Sequence, residues 1–188
     1  MRTTLLSSLI TLAILFTAGI TSADVTAQFA AGGFRGPDDP NVSAFRFTVI
    51  NGKNTKMGGF DLGFASLSES QDLSGFALIF GLHRLTGNMN GGAVFSLVNI
   101  HDGDDKGLNA GFVNKVNDAT GAMNLGLVNI ADGRTLIDTG ALNMAQESTA
   151  QLGMINITTK LRGFQLGFIN IAENGFLPVF PIFNFPKR

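Results

Sequence analysis

The residues of this chain best suited to chemistry are His83, His101 and the run His101-Asp102-Gly103-Asp104-Asp105-Lys106. Carboxylates on a glycine-bearing turn are what a calcium ion requires, which makes Asp102, Asp104 and Asp105 weak metal candidates. The run lacks the complete calcium-loop pattern and its distal glutamate, and a solvated turn between two elements accounts for it better. Two isolated histidines do not supply the three correctly spaced ligands of a zinc site. Nor is there a G-x-S-x-G elbow to present a nucleophilic serine. The chain contains no cysteine, which excludes thiolate catalysis, thiolate metal sites and disulfides. Its glycine-rich phrases do not match a phosphate loop. The sequence therefore predicts no catalytic residue, no metal and no cofactor, and a chain that is not an enzyme.

What does recur is the phrase G-[FLM]-[VI]-N, at Gly111–Asn114, Gly126–Asn129, Gly153–Asn156 and Gly167–Asn170, with looser copies ending at Ser66, Asn99 and Asn143. With His83 as a degenerate member, the phrase ends at 66, 83, 99, 114, 129, 143, 156 and 170. A fixed period means one structural unit stacked on copies of itself. His83 occupies a column whose other members are Asn and Ser, which marks it as structural. The asparagines Asn99, Asn114, Asn129, Asn143, Asn156 and Asn170 are expected to form a ladder, each amide bonding the one a coil away.

A second step, of five residues, links Asn124 to Asn129, Gln151 to Asn156, Gln165 to Asn170 and Asp61 to Ser66. Apolar residues bracket each polar one. The pattern fits neither a helix nor a long flat strand and predicts short strand segments joined at corners. The glycines sit at the corner, for positive φ or for close backbone approach. The preferred register turns the bracketing residues inward and the amides outward, because that exposes less β-branched surface. Strict alternation, with Phe164, Leu166, Phe168 and Asn170 all inward, is the competing register. In the preferred one, Phe64, Phe112, Leu127, Met154 and Phe168 follow the corner glycine and form an outer apolar column, a candidate interface. The fold expected is all-β: a parallel β-solenoid of about eight coils of 13–17 residues. A small eight-stranded β-barrel is the alternative.

The organisation along the chain follows from composition. Residues 1–23 have a short cationic start, an apolar run and a small-residue exit, and are expected to be a signal peptide cleaved after Ala23. Residues 24–56 are expected to be irregular, through about residue 42, and then a capping strand at 43–50. The repeat domain covers 57–174. A tail, 175–188, carries four Phe and three Pro and is expected to cap the open end of the stack. Loss of residues 1–23 removes one Arg and no acid, leaving a weakly acidic chain. This argues against nucleic acid or anionic lipid as a partner. Tyr and Trp are absent, which argues against a membrane barrel or a carbohydrate site. Membrane association stays open, though not through a transmembrane helix.

Residues 44–66, AFRFTVINGKNTKMGGFDLGFAS, followed by LG-[FM]-I-N-I units, resemble a family of bacterial secreted surface repeat proteins. The ending GFQLGFINIAENGFLPVFPIFNFP resembles a gammaproteobacterial subset often labelled polyhydroxyalkanoate synthases. Those synthases resemble α/β hydrolases with a cysteine nucleophile, and the lack of cysteine here contradicts the label. The resemblance implies a repeat fold and secretion, and no particular activity. Together the residues and the resemblance predict an exported, non-enzymatic structural or interaction module of the cell envelope (periplasm, outer membrane or cell surface) with an envelope or extracellular partner. The alternatives are a small outer-membrane β-barrel and, last, an enzyme built on a solenoid groove.

Overall fold

Residues about fifteen apart in sequence lie side by side in space and run in the same direction: Val98 pairs with Val113 and Val113 with Val128, Asn99 with Asn114 and Asn114 with Asn129. The computed structural model, which describes residues 24–187, is a parallel β-solenoid of about eight turns without a helix. Its strands are β1 (Val25–Ala31), β2 (Phe34–Gly36), β3 (Asn41–Leu85), β4 (Met89–Asp105), β5 (Leu108–Ala110), β6 (Val113–Leu125), β7 (Val128–Ala172) and β8 (Val179–Asn184). β3 and β7 are long because coil-to-coil pairing persists around the corners, so several turns join into one strand. The barrel alternative is overturned. A barrel of this kind alternates strand direction, whereas β1–β3, β3–β4, β4–β6 and β6–β7 all pair in parallel. Antiparallel pairing between named strands is confined to the two ends, β1–β2 and β7–β8.

Those ends are closed by folded-back chain. Residues 24–42, expected to be largely irregular, contain β1 and β2. The Gln28 amide donates to Pro37 O and Asp39 O, at 2.9 and 2.7 Å, and ties the Gly-Pro-Asp turn down over the first coil. At the other end β8 runs antiparallel along the last coil, with Leu166 opposite Phe183 and Gly167 opposite Ile182. Pro181, which has no N–H, falls where that register slips between Gly167 and Asn170. The tail phenylalanines stack on one another and on the last coil, Phe176 on Phe185 at 5.2 Å and Phe183 on Phe164 at 6.3 Å. The expected signal peptide, 1–23, lies outside the described residues.

The facing of the repeat is the opposite of the preferred register. The five-residue step is present, but Gln165 and Asn170 are fully buried while Phe164, Leu166, Phe168 and Ile169 are exposed. Strict alternation fails as well, because it would have buried Phe164, Leu166 and Phe168. The physical reason is that each corner turns a backbone carbonyl inward, and a buried carbonyl requires a donor. Asparagine supplies it and an aliphatic residue cannot. Coil length then sets what else fits. The wide early coils are filled by Met57, Leu73, Ile79, Leu85 and Met89, and the narrower later ones by Val116, Ala119, Ala122, Ala131 and Ala145. Variation in coil length is absorbed chiefly on the side away from the corner, as at the slips between His101 and Asp104 and between Val116 and Ala119.

Candidate functional site

The interior on the corner side is a lattice of amides. Asn99 Nδ2 donates to Asn114 Oδ1 at 2.7 Å, and the same bond repeats at 2.8 Å from Asn114 to Asn129, Asn129 to Asn143, Asn143 to Asn156 and Asn156 to Asn170. Each Nδ2 also donates to the inward carbonyl at the next corner: Ala110, Leu125, Thr139, Leu152, Leu166 and finally Phe180 of the tail. The Ser96 hydroxyl starts the ladder by donating to Asn99 Oδ1 at 2.6 Å. The ladder is thus internal and cannot be displayed to a partner. The corner glycine is required by close approach rather than by a left-handed φ. A Cβ at Gly153 would collide with Gly140 O of the coil before it and lie 2.6 Å from Asn143 Nδ2. Gly153→Ala is expected to cost about 1–3 kcal/mol, as overpacking against backbone does, and urea unfolding checks it.

A second buried column holds charge. Arg46 and Asp61, both without solvent exposure, form a two-bond pair at 2.9 and 2.5 Å, supported by Ser68 and Ser70. Asp105, His101 and His83 form a chain, with His101 Nδ1 2.6 Å from Asp105 Oδ2 and His83 Nδ1 3.2 Å from His101 Nε2. Asp105 also accepts from Gly107 N and Asn109 Nδ2. Asp138 accepts from Asn124, Thr135, Ser148 and Gln151. An Asp–His–His chain has the chemistry of a proton relay, but all three side chains are fully buried, so no substrate can reach them and the chain is structural. In the sequence, His83 falls in the repeat column and His101 in the acidic turn. The register pairing of His83 with Asn99 and of Leu85 with His101 brings them together.

These burials carry a pH signature. Burial, then the neighbouring His101 and Arg46, hold His83 well below its ordinary value of 6.5. A folded value below the unfolded one means that the unfolded chain binds more protons. Stability is therefore present above about pH 6.5 and is lost as pH falls below it, at up to about 1.4 kcal/mol per unit. Burial works to raise Asp105, but the bonds from His101, Gly107 and Asn109 win and hold it low, so it loses its proton-free form only at stronger acid. Burial pushes Asp138 up, which has the opposite sign and adds stability as pH falls. His83→Asn, which extends the ladder by one rung, is expected to flatten the loss between pH 6.5 and 5. The difference between variant and wild type in urea midpoints across that range cancels the Asp138 contribution.

The candidate metal cluster is dispersed. Asp102 bonds Arg84 at 3.2 Å and Asn117 at 2.9 Å, Asp104 bonds Lys106 and Thr120, and Asp105 turns into the core. The three carboxylates do not converge.

The outer face at the corner is the feature left for function. Phe64, Phe112, Leu127, Met154 and Phe168 all point outward, and Phe80 and Leu97 complete the column, with exposures from 49% at Leu97 to 73% at Phe168. Flanking it are exposed Leu125, Ile137, Ile155 and Ile169. At the N-terminal end the same face carries a stack of Phe45, Phe60 and Phe76 rings, 6.0 and 5.4 Å apart. Charge is segregated away from it. The stretches 107–114, 119–131, 135–146, 148–159 and 163–172 contain a single charged residue, Asp138, and that one is buried. Most charged residues of these coils lie on the other sides, where Glu147 pairs with Arg134, Lys160 and Arg162, while exposed Arg84 and Lys115 stand at the edge of the face, in the column of Ile100 and Ile130. Two shallow depressions, about 510 and 560 Å³, lie at the end caps rather than on this face. No protein-family model, no curated protein and no solved structure matches this chain.

Proposed function

We propose that this chain is an exported, non-enzymatic interaction module of the bacterial cell envelope that docks a partner through its apolar corner face. The observation that carries the reading is the distribution just described: one continuous apolar face, with charge confined to its edge and to the other sides of the coil. Isolated exposed apolar residues are ordinary, but a contiguous apolar face of this extent marks an interaction surface. The stacked amides hold it rigid, so little conformational freedom is lost on docking. The buried Asp–His–His chain offers no access for a substrate, which supports a non-enzymatic role. Export rests on the composition of residues 1–23.

Two measurements test the reading. The N-terminal residue of the chain recovered from an envelope fraction is expected to be Asp24, and recovery only from the cytoplasm with Met1 intact overturns export. For docking, Phe112→Glu is expected to abolish association while leaving the unfolding midpoint within about 1 kcal/mol of wild type, since the side chain is exposed. Association that survives Phe112→Glu and Leu127→Glu overturns the assigned face.

A further inference from the structure

Three Asn-Gly dipeptides occur in this chain, Asn51-Gly52, Asn90-Gly91 and Asn174-Gly175. In such a dipeptide the glycine amide, unshielded by a side chain and free in φ and ψ, can attack the asparagine side-chain carbonyl. The fold treats the three differently. Independently of the docking reading, we propose that Asn90 is a site of spontaneous covalent modification, converting in the folded protein to aspartate and isoaspartate while Asn51 and Asn174 are preserved.

Asn90 and Gly91 stand where the coil pairing slips. Met89 pairs with Leu73 and Gly92 with Gly75, so the two residues oppose Ser74 alone and form a bulge. Pairing to β5 begins only at Ala93. Gly91 has φ +74°, and a Cβ built on it would meet no atom within 4 Å. The Asn90 side chain is exposed, and among the described residues no hydrogen bond holds it. Asn88, two residues earlier, by contrast accepts from Asp104 N at 3.1 Å. The other two dipeptides are held. Asn174 donates to Leu161 O at 2.8 Å and accepts from Leu161 N at 2.7 Å, and the Gly175 N–H that would attack is bonded to Ala172 O. Gly52 is buried, and a Cβ there would fall 2.6 Å from Thr48 Cγ2 and 3.2 Å from Ala30 Cβ, so its backbone cannot swing toward Asn51.

The step at Asn90 needs only base and water. Solvent base takes the Gly91 amide proton as its nitrogen bonds Asn90 Cγ, the Cγ–Nδ2 bond breaks, and ammonia leaves. Water then opens the cyclic imide at Cγ to give aspartate, or at the main-chain carbonyl to give isoaspartate. Isoaspartate adds one carbon to the backbone, and the bulge, where two residues already face one, absorbs it. Either product adds a negative charge three residues before Ala93, which pairs with Phe76 in the ring stack.

Peptide mapping of the full chain after long incubation in mildly alkaline buffer, folded and in concentrated urea, tests the assignment. The rates in urea give the intrinsic reactivity of each dipeptide. On folding, Asn90 is expected to stay within about ten-fold of its urea rate, and Asn174 to slow at least about a hundred-fold, because its segment must open before it reacts. Asn51 is expected to slow more than Asn90. An acidic variant is expected on ion exchange, carrying aspartate and isoaspartate at residue 90, and to be absent from Asn90→Ser with the unfolding midpoint retained. An Asn90 slowed by folding more than about ten-fold, or as much as Asn51 or Asn174, overturns the proposal. So does an acidic variant that persists in Asn90→Ser.

Discussion

Arg46→Met is expected to cost about 3–5 kcal/mol of folding stability, the range for removing one partner of a buried ion pair. Arg46 and Asp61 sit one coil apart, both without exposure, joined by Nε to Oδ1 at 2.9 Å and by an η-nitrogen to Oδ2 at 2.5 Å. The Ser68 hydroxyl donates to Asp61 Oδ2 at 2.8 Å, and Arg46 reaches Ser68, Ser70 and the Glu69 carbonyl. Methionine fills much of the arginine's volume, so the cost comes from Asp61, left buried with one serine hydroxyl and no cation. The double replacement Arg46→Met with Asp61→Leu removes the orphaned charge and is expected to recover most of the loss, because a buried pair is worth little against a packed apolar alternative. Urea midpoints at constant m check both. A single variant within 1 kcal/mol of wild type means that water or a rearranged coil compensates Asp61, and the closed polar core drawn above is then wrong.

The period was legible because parallel coils stack like on like: Asn99, Asn114 and Asn129 recur together in sequence because they touch in space. The facing was not, because a count of exposed β-branched area weighs side chains alone. Val128 and Ile130 flank Asn129 on the outside, and that expense is outweighed by the need of the Thr139 carbonyl for a buried donor. A backbone group turned inward at a corner leaves no mark of its own in the sequence; its mark is the asparagine that serves it. Arg46 and Asp61 do leave a mark in the sequence. Arg46 alternates with Phe45 and Phe47, and Asp61 lies fifteen residues on, one coil away. The same holds for the docking face. Its column was identifiable from the residue after each corner glycine, but its extent depends on which way the flanking residues point, and so on the facing.

Asn129→Ala tests that facing at the centre of the ladder. Asn129 Nδ2 donates to Thr139 O at 2.9 Å and to Asn143 Oδ1 at 2.8 Å, while its Oδ1 accepts from Asn114 Nδ2 at 2.8 Å. Alanine deletes all three bonds and leaves a buried carbonyl, a buried amide oxygen and a buried amide hydrogen without partners. At about 1–3 kcal/mol for each orphaned group, less what local relaxation recovers, the expected loss is about 3–5 kcal/mol. Position in the stack matters. In a linear array each coil leans only on its neighbours, so a broken central rung weakens the coupling between the two halves. Asn170 is the last rung, and its Nδ2 donates only to backbone, at Gly167 O and Phe180 O. Asn170→Ala is therefore expected to cost less than Asn129→Ala and to act first on the tail, seen as faster amide exchange in β8. Had the amides faced water, both substitutions would have been nearly neutral and alike. Unequal losses of this order, measured by urea unfolding of the two variants side by side, are what an internal ladder requires.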